Sequence, residues 1–188
     1  MLIAAVFAFA STMLLASSQA AEVATKSLWS APVRGLRARL EFGEEKVING
    51  TRIPEVYIEL YNESYSASPM EFDFNFAWLQ FDLRTSDNKP APRPQSTVED
   101  GFRSGPFHIE LPDRGTLRFP VTYYGYGIYP GTGMMLGFQT AHWELPRDKA
   151  DYFLSATLVV PKRPNPRGQP KFWAGTLQIP FISVPARK

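Results

Sequence analysis

Apolar and polar residues alternate one by one along much of the chain. Leu36, Ala38, Leu40 and Phe42 interleave with Arg37, Arg39 and Glu41, and Val56, Ile58 and Leu60 with Glu55, Tyr57, Glu59 and Tyr61. The step recurs in Leu117, Phe119 and Val121, and again in Tyr152, Leu154, Ala156, Leu158 and Val160. A period of two sends successive side chains to opposite faces, so each run predicts a strand with one buried face. Further strands are predicted at Phe107 to Leu111, Met134 to Leu145 and Trp173 to Val184. Beyond the first twenty residues there is no sustained 3.6-residue stripe, and the 17 prolines punctuate the chain too often for long helices.

One segment changes phase. Phe72, Phe74, Phe76 and Trp78 share a face, after which Leu79, Phe81 and Leu83 become the apolar set. Such a slip predicts a bulge or corner near Asn75 to Ala77, where a strand crosses from one sheet to another. Pro120 and Pro180 fall inside strand-like runs, which marks those strands as edges or as bulged. The pattern as a whole predicts an all-β fold, an antiparallel β-sandwich of about eight or nine strands.

The first twenty residues stand apart. Leu2 to Leu15 are apolar or small and carry no charge, and small residues follow through Ala20. This predicts a secretory signal peptide (residues 1–20), then a single domain over residues 21–188 that is secreted or periplasmic. An uncleaved anchor is the rival reading. The apolar run falls short of the roughly 20 residues a spanning helix needs, and no transmembrane span is expected in the mature chain.

Cysteine is absent. Lipid acylation at the cleavage site, thiolate catalysis, zinc–thiolate sites and iron–sulfur clusters are thereby excluded, and core packing alone has to hold the fold. A domain of this size buries about 70% of its unfolded surface, enough to need no disulfide. The net charge of +2 gives no reason to expect a nucleic-acid partner. Charge is uneven, with nine basic and thirteen acidic residues from Glu22 to Asp100 against eleven and five from Gly101 onward. The simplest reading is that the two halves pair across one domain.

The segment "LWSAPVRGLRARLEF" (Leu28 to Phe42) resembles the opening of an uncharacterised family of secreted bacterial domains abundant in planctomycetes, which start with a Trp and a Val-x-Gly-Leu step. The closing "DYFLSATLVV" and "FWAGTLQIPFISVP" are similar to that family's last two strands, and "EVYIELYN" sits where it has a strand ending in Asn. The resemblance implies an immunoglobulin-like or protease-inhibitor-like β-sandwich, and it brings no established activity. Its marker positions, Trp29, Gly35, Trp173 and Gly175, read as structural.

Candidate chemistry is sparse. Each of the two histidines begins an H-x-E step, His108 with Glu110 and His142 with Glu144. Residues two apart on a strand share a face, so each pair would present an imidazole beside a carboxylate. If the two strands were neighbours, the four side chains would suit zinc or another divalent ion. Alternation with Phe107, Ile109, Leu111, Ala141, Trp143 and Leu145 directs all four outward. The stretch "GFRSG" is not the G-x-S-x-G turn of a hydrolase, and Ser104 has no visible acid–histidine partners. The glycine run lacks the Lys of a phosphate loop. Glu99, Asp100, Glu110 and Glu144 are the only carboxylates near plausible clefts. No enzyme activity and no cofactor are expected.

The richest feature is "YYGYGIYPGTG" (Tyr123 to Gly133), with four tyrosines and four glycines. Tyrosines supply rigid amphipathic contact area and glycines let a loop shape itself to a partner. Tyr123, Tyr124, Tyr126 and Tyr129, with Trp143, are the candidate ligand-binding residues, and outward Tyr57 and Tyr61 would extend their surface. The competing reading has these aromatics covering one end of the core. Two proline-rich polar stretches, Ser86 to Gln95 and Pro161 to Pro170, read as exposed connections; Lys162, Arg163 and Arg167 in the second keep it solvated.

These readings favour an exported noncatalytic binding module that meets a protein or envelope surface through loops at one end of the sandwich. A carbohydrate-binding module is the first alternative, a metal-dependent enzyme on the H-x-E strands the second, and a proteinase inhibitor a subcase of the first. Asn49-Gly50-Thr51 and Asn62-Glu63-Ser64 match the glycosylation acceptor pattern, which means nothing if the host is a bacterium, as the resemblance implies.

Overall fold

The computed structural model describes residues 28–65, 68–91, 105–123, 133–145, 151–162 and 172–185. Among them are ten strands and no α-helix, an all-β fold with slightly more strands than the alternation predicts. In chain order they are β1 (Leu36–Ile48), β2 (Thr51–Asn62), β3 (Met70–Phe74), β4 (Leu79–Thr85), β5 (Phe107–Leu111), β6 (Thr116–Pro120), β7 (Met134–Gly137), β8 (His142–Leu145), β9 (Tyr152–Val160) and β10 (Gly175–Ser183). The run predicted as one strand from Met134 to Leu145 is two. Phe138 to Ala141 form a tight turn, closed by Phe138 N–H donating to the Ala141 carbonyl, so β7 and β8 make a hairpin.

Three sheets result. The largest joins β1, β2, β7 and β8, with β6 on the same side of β2 as β7. All its pairings are antiparallel except a single parallel step between Arg52 of β2 and Met134 of β7. A second sheet has the order β10-β9-β4, and β3 and β5 form a two-stranded ribbon.

The alternating residues supply the core as predicted. Leu36, Ala38, Leu40, Val56, Ile58 and Leu60 from the first sheet and Leu79, Leu83, Leu154, Ala156, Leu158, Leu177 and Ile179 from the second join one buried cluster. Phe72 and Phe74 of the ribbon belong to it. Each fully buried Leu or Ile adds about 1.5–3 kcal/mol relative to exposure, which is how a fold without disulfides is held.

The phase change is a corner. Phe76–Trp78 form one 3-10 turn, capped by the Asn75 side chain, which accepts from Ala77 N–H at 2.9 Å. On one side lies β3 in the ribbon, on the other β4 beside β9, so the strand does pass between sheets. The proline predictions agree as well. Pro180 lies where the β10–β9 register shifts between Ile179 and Ile182, and Pro120 ends β6, which pairs only with β2.

Before β1, residues 28–33 double back along its edge. Arg34 and Gly35 have φ of 51° and 83°, a left-handed pair that makes this reversal tight. Ser30 then clamps Ala38 twice: its N–H donates to the Ala38 carbonyl at 2.8 Å and its Oγ accepts from Ala38 N–H at 3.0 Å. Trp173 Nε1 donates to the Val33 carbonyl at 2.8 Å, and an added Cβ on Gly175 would lie 3.2 Å from Val33. Residues 28–33 and 173–175 are thus stapled together through Trp173 and Gly175.

Candidate functional site

The outward half of the alternation in β1 and β2 builds a face of a particular composition. Arg37, Arg39 and Glu41 of β1 stand beside Glu59, Tyr61 and Tyr57 of β2, because Arg37 pairs with Tyr61, Arg39 with Glu59 and Glu41 with Tyr57. On the far side of β2, Arg118 of β6 stands opposite Glu59 and Pro120 opposite Tyr57. The face therefore crosses three strands.

Its side chains hold one another. Arg39 bonds Glu59 at 2.5 Å and Glu41 at 2.8 Å, and Glu41 continues to Arg118 at 3.3 Å. Arg37 pairs with Glu63 at 2.5 Å and Lys46 with Glu55 at 3.7 Å. Within this network four cations meet four carboxylates. Aromatic rings are woven into the network. The Arg39 guanidinium lies 4.7 Å from the Trp29 ring centre, and Trp29 is tilted against Tyr61 at 5.7 Å. Arg118 lies 3.6 Å from the Tyr57 ring centre. Just before β6, Arg114 sits 4.1 Å over Tyr65 and donates to the Tyr61 and Tyr65 hydroxyls. The Tyr61 bond is the main reason that the Arg114 pKa is raised.

Trp29 and Tyr61 are half-buried, while Tyr65 is 84% exposed. Tyr57 is the counter-example: an added Cβ on Gly43 would fall 2.5 Å from its ring, and Arg118 stacks on it too. Its aromatic surface is used by the protein itself and is not offered to a sugar.

The predicted site residues fall elsewhere. Tyr124, Tyr126 and Tyr129 lie outside the described residues. Tyr123 N–H donates to the Gly137 carbonyl at 2.8 Å, and the Gly133 carbonyl accepts from Arg52 N–H at 3.0 Å. The two flanks of the Tyr/Gly stretch are therefore fixed on β7 and β2, beyond the end of the aromatic face where Tyr57 stands. Trp143 is not a surface ligand residue. It is 4% exposed and packs edge-on to Phe138 at 6.0 Å, because it shares the core side with Ala141 and Leu145.

The two H-x-E pairs are not brought together. β5 pairs with β3 and β8 with β7, in different sheets. His142 is also buried, at 5% exposure, and not solvent-exposed as an outward position implies. His108 does stand beside Glu110 at 3.5 Å, as same-face spacing requires, with Glu71 and Asp73 of β3 each at 3.8 Å. Even so, no three His, Asp or Glu side chains among the described residues are disposed to hold a metal ion. Glu99, Asp100 and Ser104 lie outside the described residues.

Sequence reasoning placed Tyr57 and Tyr61 outward but missed Trp29, Arg39, Arg114 and Arg118 as their companions. Those partners come from the doubling back of residues 28–33 and from the β2–β6 register, and neither is written in any local pattern. No family model matches this chain, and neither does any curated protein or solved structure. No described helix is long and apolar enough to cross a membrane.

Proposed function

We propose that this protein is an exported, noncatalytic binding module whose contact surface is the outer face of β1, β2 and β6, centred on Trp29, Tyr61 and Arg39. One observation carries the reading: half-exposed Trp and Tyr rings are held by guanidinium groups on the outer face of the sheet. Tryptophan, tyrosine and arginine are the residues that dominate binding energy in protein interfaces. Side chains already fixed by neighbours lose less freedom when a partner arrives. The uncharged Leu2–Leu15 stretch supports export, and the resemblance of the chain's ends to exported bacterial domains agrees with it. The partner is a protein or other envelope surface.

A carbohydrate partner is the competing outcome, and one experiment separates the two. The wild-type domain, Tyr61→Ala and Tyr126→Ala are applied to a glycan array and, in parallel, to native envelope proteins immobilised after deglycosylation. The proposal expects retention on the deglycosylated proteins that Tyr61→Ala weakens, and no glycan signal above background. Glycan binding lost in Tyr126→Ala would replace it with the carbohydrate reading.

A further inference from the structure

The tip of the β1–β2 hairpin is a two-residue loop. Ile48 pairs with Thr51, and between them Asn49 and Gly50 have φ of 51° and 76°. Two left-handed residues in sequence make the tight turn that Asn-Gly favours. Asn49 is the only asparagine of the chain followed by glycine. It is exposed, its side-chain amide makes no hydrogen bond among the described residues, and an added Cβ on Gly50 would meet nothing within 4 Å.

We propose that Asn49 is a site of spontaneous covalent modification in the folded protein, passing through a cyclic imide to aspartate and isoaspartate. The Gly50 nitrogen attacks Asn49 Cγ, the N–Cγ bond forms, the Cγ–Nδ2 bond breaks, and ammonia leaves with the proton shed by the Gly50 amide. Water then opens the five-membered imide at either carbonyl. Net, one water is consumed and one ammonia released, with no oxidant or cofactor.

Three local features favour this position. Glycine leaves the attacking nitrogen unshielded, since no side chain stands over it. No partner among the described residues restrains the leaving amide. The β1 side of the tip is also loosely held: the β1–β2 register shifts between Phe42 and Glu45 and residues 43–47 are exposed, while Thr51 and Ile53 of β2 stay buried. That looseness matters because Asn49 has to leave its left-handed turn conformation for nitrogen and carbon to meet.

The other described asparagines lack this combination. Asn62 is fully buried with its amide bonded at both ends, Asn75 caps the 3-10 turn, and Asn88 accepts from Arg84. The two products differ in effect. Aspartate still accepts the turn, whereas isoaspartate adds a carbon to the main chain and breaks the Ile48–Thr51 pairing. Arg52, whose N–H holds the Gly133 end of the Tyr/Gly stretch, follows directly.

The test is peptide mapping by mass spectrometry of the folded full chain during incubation in mildly alkaline buffer, with ammonia release followed in parallel. The expected result is a gain of about one dalton at Asn49, as both aspartate and isoaspartate, before any change at Asn62, Asn75 or Asn88. Asn49→Gly, which suits the same turn, removes the early ammonia. The proposal is overturned if Asn49 stays intact in the folded chain while it converts in urea, or if another described asparagine converts first.

Discussion

The Tyr57 ring is held between Gly43 and Arg118: the guanidinium lies 3.6 Å from the ring centre, and an added Cβ on Gly43 would sit 2.5 Å from ring carbon Cε2. One residue thereby couples β1, β2 and β6. Gly43 occupies the bulge between Phe42 and Glu45, so the irregularity in β1 is also what makes room for the ring.

Gly43→Ala therefore pushes Tyr57 off its seat. A double-mutant cycle between Tyr57→Ala and Arg118→Ala, read by urea denaturation, is expected to give a coupling of about 0.5–1 kcal/mol, the size of an exposed cation–π pair. In the Gly43→Ala background that coupling is expected to fall toward zero. An unchanged coupling there would mean that the bulge does not position the ring.

Tyr57 also titrates in a predictable direction. Its hydroxyl donates to Glu55 at 2.6 Å, and this bond, then desolvation and the Glu55 charge, raises its pKa above the ordinary 10.0, with Arg118 and Lys46 pulling weakly the other way. A raised value means that folding favours the neutral phenol. The associated stability is complete below pH 10.0 and is lost as pH climbs through the raised folded value. In Glu55→Gln, difference absorbance of the phenolate is expected to show Tyr57 ionising at lower pH than in the wild type. A shift upward contradicts the assignment.

The alternation in the sequence was enough for most strands, the core and the corner at Asn75, because each follows from a two-residue period acting locally, but not for the turn that splits Met134 to Leu145 into β7 and β8. His142 shows where that logic stops. Alternation with Trp143 sends it outward, and so it goes, yet that side of the sheet is itself buried near β7, where Ile53 and Met135 are buried apart from the main core cluster. Periodicity reports which side a residue takes and not whether something covers that side. The H-x-E pairs failed for a related reason, since strand neighbours are set by long-range pairing that no local spacing encodes.

Asn62 anchors the opposite end of the face. Its Nδ2 donates to the Leu111 and Pro112 carbonyls at 3.0 Å each, while Oδ1 accepts from Ser64 N–H and Oγ. Asn62→Ala takes a donor from the buried Leu111 carbonyl, while the Pro112 carbonyl keeps its bond from Gly115 N–H, and is expected to cost about 1–3 kcal/mol in chemical denaturation. Asn62→Asp is expected to cost more, because it turns a carboxylate oxygen toward both carbonyls. A loss within experimental error in both would show that the turn at Pro112 does not depend on this side chain.

The most direct measurement of the central claim is site-specific photocrosslinking in the native envelope fraction. A photoreactive p-benzoylphenylalanine replaces Tyr61 on the outer face of β2 in one sample, and Gln178, exposed on β10 of the other sheet, in a second. The account predicts a discrete covalent adduct from position 61 that disappears when Trp29→Ala is added, and none from position 178. Equal labelling at both positions, or an adduct from 178 alone, would contradict the assignment of the β1–β2–β6 face as the contact surface.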